Sequence, residues 1–217
     1  MVNPFLHAVA IAAVRGAGQD RAAVLEIAGG LVVALADGAG GTTNGALAAQ
    51  AVIDAARIAA AGAAATGTGA TGNPAAAAPP WPALLSQLDR DPPRLGHGQT
   101  TAVILSVTRH AIRGASVGDS AAWLLRDGQI DELTADQTRK PLLGAGSRPL
   151  AIAAAPLGDR TLLVASDGLV RYARPTDIAR IASGPDLATA AHALIELVRL
   201  PAGGLQDDIS VVLVREA

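Results

Sequence analysis

Residues 31–38 read Leu-Val-Val-Ala-Leu-Ala-Asp-Gly, and residues 162–168 read Leu-Leu-Val-Ala-Ser-Asp-Gly. Each stretch is an apolar run with the length of a buried strand, and each ends on an Asp-Gly pair. A lone Asp-Gly pair usually marks a turn, because Asp tolerates turn geometry and Gly supplies a positive φ. Asp127-Gly128 is predicted to be such a turn. An unpaired carboxylate at the end of so apolar a strand is costly to bury, which makes Asp37 and Asp167 candidate ligands for a cation.

Two further segments place acids at strand ends. Asp119 follows the run at 115–118, and Asp207-Asp208 directly precede a closing apolar run. Strand ends are where a rigid scaffold holds binding groups. The chain has no Cys, and its four His residues show no ligand spacing, so the predicted donors are oxygens, which favour Mg²⁺ or Mn²⁺.

Such a metal site predicts phosphate-ester chemistry. Two ions that share a water can lower its pKa and direct it at a phosphorus atom. The transferred phosphoryl group is best held by the planar, bidentate guanidinium of an Arg. Arg15, at the end of the first predicted strand, is the candidate.

The order of the predicted elements indicates the fold class. Strands come in blocks, with helices in pairs between them, which predicts an α+β fold with helices on antiparallel sheets. Residues 62–80 are rich in Ala, Gly, Thr and Pro and are predicted to form a flexible loop, while 137–149 is predicted to be irregular. The predicted strands are 8–14, 22–27, 31–36, 101–107, 111–117, 121–125, 130–133, 161–165 and 209–214, and the predicted helices are 44–61, 81–88, 176–182 and 188–198.

Length and charge set limits on the partners. The 217 residues suit one domain spanning 1–217, and 17 basic against 19 acidic residues give a net charge of −2. Without clustered Lys and Arg we expect no nucleic-acid partner and no anionic membrane partner. No apolar run approaches the roughly 20 residues of a membrane span. We expect a cytoplasmic monomer.

Six short motifs occur in order between residues 14 and 214. Together they resemble the metal-dependent protein phosphatase family (PPM, the phosphatase 2C type), in the form of a compact bacterial member. The motifs are Arg15-Gly-Ala-Gly-Gln19-Asp20, Ala36-Asp37-Gly38-Ala39-Gly40-Gly41, Gly98-Gln99-Thr100-Thr101-Ala102-Val103, Val117-Gly118-Asp119-Ser120, Ala165-Ser166-Asp167-Gly168 and Asp207-Asp208-Ile209-Ser210.

The resemblance implies a fold and an activity. The fold would be a β-sandwich of two antiparallel sheets flanked by paired antiparallel helices, in four αββα layers. The activity would be hydrolysis of phosphoserine and phosphothreonine in proteins that a cognate kinase has phosphorylated. Two Mn²⁺ or Mg²⁺ ions would serve as cofactors, with a third, weaker ion possible.

The resemblance also implies roles for individual residues. Asp37 would bridge both ions, the Gly38 carbonyl would bind the second ion, and Asp167 and Asp207 would complete the shell of the first. Asp119 would help to hold the third ion.

Around these ligands the resemblance implies supporting groups. Arg15 would bind the phosphate, while Asp20 and Thr101 would hydrogen-bond metal-bound waters.

Four departures from the family pattern affect these expectations. Gln19 replaces the usual Glu, so a negative charge is lost and the second ion should bind more weakly. Asp208 replaces the usual Asn and adds a negative charge that could offset this loss. Ala39 stands where eukaryotic members carry a His, so the leaving group would take its proton from water. The flap region, at about 137–160, is shorter than usual, so we do not expect a large flap to select the substrate.

Two alternatives stay open at this stage. Gln19 motivates a catalytically weak relative that binds phosphoproteins or partners without turning them over. The second alternative is a plain α+β structural domain in which the Asp-Gly pairs are only turns.

Overall fold

A computed structural model describes residues 3–39, 44–65 and 80–217 of the chain. The elements below are those of the described residues. The strands are β1 (Phe5–Ala12), β2 (Arg21–Ile27), β3 (Gly30–Ala36), β4 (Ala102–Thr108), β5 (Ile112–Val117), β6 (Ala121–Arg126), β7 (Gln129–Glu132), β8 (Leu150–Ala154), β9 (Thr161–Ala165) and β10 (Ile209–Glu216). The helices are α1 (Gly45–Ala65), α2 (Trp81–Asp89), α3 (Asp167–Val170), α4 (Pro175–Ala182) and α5 (Leu187–Leu197).

The strands form two five-stranded sheets. One sheet has the order β1-β10-β9-β6-β7 and the other β2-β3-β4-β5-β8, and every pairing is antiparallel. The apolar run at 31–36 lies inside β3, between β2 and β4, and every residue of β3 is buried. An interior strand covered on both faces is expected to be apolar without alternation, as this sequence is.

Three apolar layers hold the sheets and helices together. Between the sheets, Leu31, Val33 and Leu35 of β3 meet Val212 and Val214 of β10. On the outer face of one sheet, α1 and α2 pack over Val32 and Ala34, with Trp81 fully buried. On the outer face of the other sheet, α4 and α5 cover Trp123 and Leu163. The predicted four-layer sandwich is therefore confirmed.

Trp81 shows how the Ala-rich helix layer is anchored. Its indole Nε1–H donates to Ser106 Oγ at 2.9 Å, inside the layer between α2 and β4. A buried indole N–H needs such a partner, and here the bond fixes the start of α2 against the sheet.

The structure corrects three predictions about local elements. Residues 62–65 continue α1 instead of starting the predicted loop, because Ala is the strongest helix former; the rest of that loop, at 66–79, lies outside the described residues. The prediction missed β8, whose Leu-Ala-Ile-Ala-Ala sequence has only one strongly strand-favouring residue, Ile152, beside three Ala. It also missed α3, a single turn directly after β9.

Among the described residues, no helix has the length and the apolar character that crossing a membrane requires.

Candidate metal centre

The predicted acids meet at one end of the sandwich, where strands of both sheets end. A cavity of about 220 Å³ opens there. One wall comes from the ends of β3 and β4, and the other from the ends of β6, β9 and β10. Eight of the predicted site residues line it: Gln19, Asp37, Gly38, Thr101, Asp119, Asp167, Asp207 and Asp208.

The backbone at the end of β3 is held by the start of β4. The Asp37 carbonyl accepts hydrogen bonds from Thr101 N and Thr100 Oγ1, both at 2.8 Å. Asp37 N donates to Thr101 Oγ1 at 2.9 Å. Thr101 Oγ1 also lies 2.7 Å from Ser120 Oγ, on the turn that carries Asp119. The Thr101 hydroxyl thus connects the segments that bear two of the candidate ligands.

Glycine permits the close backbone contact behind Asp167. A Cβ atom on Gly168 would collide with the backbone oxygen of Asp208. Asp167 begins α3 immediately after β9, while Asp207 and Asp208 immediately precede β10. The contact therefore brings the acids of two neighbouring strands to the same cavity, as the Asp-Gly pattern suggested.

Asp208 fastens the loop that precedes β2. Its Oδ1 accepts from Val14 N at 2.7 Å, and its Oδ2 accepts from Gln19 N at 2.6 Å. Both distances are those of charge-assisted hydrogen bonds. Asp208 was predicted only as an added negative charge near the site; in the structure its carboxylate also positions Gln19.

The carboxyl groups crowd one another. Burial, followed by the charges of Asp20, Asp167 and Asp207, holds the pKa of Asp37 well above its usual range. Burial, followed by the charges of Asp119 and Asp207, also raises the pKa of Asp167. A hydrogen bond with Asp37 opposes this in part, and so does Arg171, whose Nη1 lies 3.8 Å from Asp167 Oδ2. Acids this crowded are favoured in their charged form only when a cation joins them.

Asp20 lies outside the cavity lining and is buried, with 2% of its surface exposed. Burial raises its pKa to about 6, against the opposing effect of Ser166, Ser210 and Asp37. Although these groups lie close enough to lower the pKa, neither carboxyl oxygen has a hydrogen-bond partner of normal geometry among the described residues. A buried carboxylate left unpaired requires an explanation such as an ordered water or an ion nearby.

The donor set fits hard divalent cations, but it is not a closed cage. Within residues 3–39, 44–65 and 80–217, no three Asp, Glu or His side chains already surround one ion position. What the cavity offers is carboxylate oxygen from Asp37, Asp167, Asp207 and Asp119, the ligand type that Mg²⁺ and Mn²⁺ take. Mg²⁺ also keeps several waters, so few protein ligands suffice for each ion.

Arg15 is exposed and is not among the cavity-lining residues. Its carbonyl accepts from Gly18 N at 3.2 Å, in the loop that Asp208 fastens. The structure thus places Arg15 near the site in the chain but does not bring it to the cavity wall. Its contact with phosphate stays a prediction.

Sequence reasoning missed the wall formed by the irregular segment before β8. Leu142 lines the cavity, and the backbone of Leu143 pairs with Thr100. Asp89, at the end of α2, holds this segment: its Oδ1 accepts from Gly144 N at 2.7 Å, Ser147 N at 3.1 Å and Ser147 Oγ at 2.9 Å. No sequence motif marks Leu142; the sequence showed its segment only as irregular and as part of a shortened flap region.

The turn prediction for Asp127-Gly128 is confirmed. Both residues have positive φ, 50° and 77°, and they join β6 to β7. Asp37 and Asp167 differ from this pair because their side chains reach a common cavity with other acids.

Comparison with known proteins agrees with this geometry. No protein-family model matches the chain. The serine/threonine protein phosphatase PstP of Mycobacterium tuberculosis (strain CDC 1551 / Oshkosh) is 32% identical over 213 residues, which cover 86% of this chain and 40% of PstP. The chain thus spans about two fifths of the length of the curated relatives it matches.

Solved structures show the same fold. The crystal structure of the M. tuberculosis serine/threonine phosphatase PstP/Ppp aligns with a TM-score of 0.73 and 26% identity over 97% of each chain. The catalytic domain of PstP in complex with two manganese ions gives the same TM-score and coverage at 24% identity. The chain belongs to the metal-dependent protein phosphatase (PPM) family, which confirms the resemblance seen in its six motifs.

Proposed function

We propose that this protein is a metal-dependent protein-serine/threonine phosphatase that hydrolyses phosphoserine and phosphothreonine. The observation that carries the proposal is the convergence of Asp37, Asp119, Asp167 and Asp207, from four separate segments, on one cavity. PstP, which shares 32% identity with the chain, is named a serine/threonine protein phosphatase, and its catalytic domain has been crystallised with two manganese ions.

The proposed ligand set uses side chains of both sheets. Asp37 and the Gly38 carbonyl would hold the second ion, Asp37, Asp167 and Asp207 the first, and Asp119 a third, weaker one. Two Mn²⁺ or Mg²⁺ ions bound there would supply an activated water for attack on phosphorus and positive charge for the phosphoryl oxygens.

The remaining proposed roles belong to residues of the first loop and the cavity wall. Asp208 positions Gln19 at the wall through the backbone N–H of Gln19, and Thr101 holds the backbone of Asp37. Asp20 adds buried negative charge beside Asp37. Arg15, exposed at the edge of the same loop, would bind the phosphate of an arriving substrate, for which a guanidinium is well shaped.

A turnover assay tests the proposal directly. The wild-type chain should hydrolyse p-nitrophenyl phosphate and a phosphothreonine peptide only when Mn²⁺ or Mg²⁺ is added. D37N should lose activity by at least about 100-fold, because it removes the charge proposed to bridge the ions. D131N, an exposed acid outside the cavity, is the matched control. Absence of turnover with ample Mn²⁺ and Mg²⁺ would refute the proposed phosphatase activity.

A binding module without turnover is the second candidate. Two observations favour it: an amide, Gln19, lines the cavity where the family usually has a carboxylate, and Arg15 is absent from the lining. Calorimetric titration with Mn²⁺ separates the candidates. Two sites that fill at micromolar concentration support the phosphatase, and one site or none supports the binding module.

The proposal extends to partners and location. A Ser/Thr kinase would supply the phosphorylated proteins, and the chain would act as a cytoplasmic monomer. The near-neutral net charge of −2 supports the absence of a polyanionic partner. Size-exclusion chromatography with light scattering tests the oligomeric state.

A further inference from the structure

A second cavity, of about 280 Å³, adjoins the candidate metal centre. The two cavities share Asp119 as a wall residue. β6, β7 and the irregular segment that follows them form the second cavity, and its lining includes Trp123, Glu132, Gln137, Arg139 and Val170. Its volume suits one long side chain of a bound ligand.

The lining combines an aromatic ring with a carboxylate. Trp123 and Glu132 are direct partners across the β6–β7 pairing, so their side chains lie on the same face of the sheet. Trp123 is 6% exposed, and its Nε1 has no hydrogen-bond partner among the described residues. Glu132 is exposed and accepts only a 3.4 Å contact from Thr134 Oγ1.

The charged groups of this cavity are unpaired. Within the described part of the chain, neither Glu132 nor Asp119 forms an ion pair, and Arg139, although it lines the same cavity, pairs with neither. Because Asp119 is proposed as a metal ligand, Glu132 is the carboxylate of this lining that is left to attract a basic side chain. A carboxylate without an ion-pair partner attracts a cation, and the apolar surface of Trp123 in the lining suits the aliphatic stem of a long basic side chain.

We propose that this cavity binds a Lys or Arg side chain of the substrate, within two residues of the phosphorylated Ser or Thr. The inference rests on the proposed function, because it takes the phosphorylated residue to occupy the neighbouring cavity. In an extended peptide, side chains on the same side are two residues, or about 7 Å, apart. Since the cavities share Asp119, a side chain of that spacing reaches from one into the other.

Glu132 is the residue on which to test this inference, because Asp119 is also proposed as a metal ligand. The substrates are phosphothreonine peptides that carry Arg or Ala at each position from −2 to +2. For the wild type, kcat/KM should be higher for Arg than for Ala at one of these positions. E132Q should lower that preference by about threefold to fivefold, the range of an exposed ion pair.

Two controls isolate the effect. D131N removes the same charge from the neighbouring residue of β7, which is exposed, does not line the cavity and points to the other face of the strand, so it should keep the preference. Hydrolysis of p-nitrophenyl phosphate, which cannot reach the second cavity, should be the same in wild type, E132Q and D131N.

Arg139 provides a test of opposite sign. R139Q removes the one positive charge of the lining and should strengthen the preference for Arg peptides by a similar factor. If instead E132Q leaves the preference unchanged or strengthens it, and R139Q weakens it, Glu132 does not hold the basic side chain and the proposal is overturned. Equal rates for Arg and Ala peptides at every position would also overturn it.

A binding measurement separates this inference from the proposed function. Fluorescein-labelled peptides with a phosphonate in place of the phosphate report affinity by anisotropy without any turnover. If the wild type hydrolyses no p-nitrophenyl phosphate, the proposed function fails, and the Arg-against-Ala difference in peptide affinity still decides the inference. An affinity difference that disappears in E132Q supports it, and the absence of any difference refutes it.

Discussion

Oδ2 of Asp208 lies 2.6 Å from the backbone nitrogen of Gln19, across 189 residues of sequence. With the second bond, from Val14 N to Oδ1, one carboxylate attaches the loop before β2 to the start of β10. The position of Gln19 at the cavity wall therefore depends on a residue at the other end of the chain.

We expect D208A to loosen this loop. Two charge-assisted hydrogen bonds are lost, so the free energy of unfolding should fall by about 2 kcal/mol, and Mn²⁺-dependent turnover should fall with it. Urea unfolding and the p-nitrophenyl phosphate assay measure the two effects. D136A, at an exposed acid with no such bonds, should leave both unchanged. Equal stability of D208A and D136A would show that the Asp208 carboxylate does not hold the loop.

Asp89 should hold the cavity wall that contains Leu142. D89A removes the acceptor of three hydrogen bonds from Gly144 and Ser147, so the amides of these two residues should exchange with solvent faster, and stability should fall by about 2 kcal/mol. Hydrogen exchange followed by mass spectrometry measures this directly. S147A removes only the hydroxyl bond and should have a smaller effect. Unchanged exchange at 141–149 in D89A would show that other contacts hold the segment.

The close backbone contact at Gly168 predicts intolerance of any side chain there. In G168A the new Cβ meets the backbone oxygen of Asp208, so the protein should lose about 1–3 kcal/mol of stability, as in overpacked cores. Thermal unfolding measures the loss. At Gly204 an added Cβ meets nothing within 4 Å, and G204A should stay within about 0.5 kcal/mol of wild type. If G168A and G204A have the same melting temperature, the contact at Gly168 does not exclude a side chain.

The crowded acids predict a pH dependence of the chelated protein. Burial raises the pKa of Asp20 from 3.8 to about 6 and that of Asp37 further. A carboxyl group with a raised folded pKa favours folding only while it is protonated, so this stability is present below pH 3.8 and is lost as the pH rises toward 6 and beyond.

Calorimetry in EDTA from pH 4 to 8 tests this dependence. D37N removes one of the repelling charges, so its stability relative to wild type should increase with pH. When Mn²⁺ is added, the wild type should become the more stable of the two, because it binds the ion better. D131N serves as the control. A difference between D37N and wild type that stays constant with pH would contradict the repulsion.

The fold followed from sequence where the pattern was strongly apolar. The run at 31–36 could only be a buried strand, and the structure places it inside β3 with every residue covered. By contrast, β8 is a five-residue run with three Ala, too short and too weak in strand propensity to be recognised, and its pairing with β5 makes it a strand. Local propensity does not predict a strand that forms through tertiary pairing of that kind.

The acids of the candidate site were predicted for a physical reason, namely the cost of burying a carboxylate at the end of an apolar strand. The same reasoning could not find Leu142 or the clamp by Asp89, because both depend on how an irregular segment folds back on the sheet. The two hydrogen bonds of Asp208 to the loop before β2 could not be predicted either, since their donors lie 189 and 194 residues away in the sequence.

The candidate metal centre lies between the ends of the two sheets: Asp37 directly follows β3 of one sheet, while Asp167 follows β9 and Asp207 precedes β10 of the other. An ion shared by these acids would add a cross-link between the two sheets, beside the hydrogen bonds of Thr101 with Ser120 and of Asp208 with the loop before β2. Binding of the ion should then raise the melting temperature of the whole sandwich and not only order the loops around the cavity. The reason is that a ligand that binds only the native state stabilises it. A simple thermal-shift curve would serve as a gauge of ion occupancy.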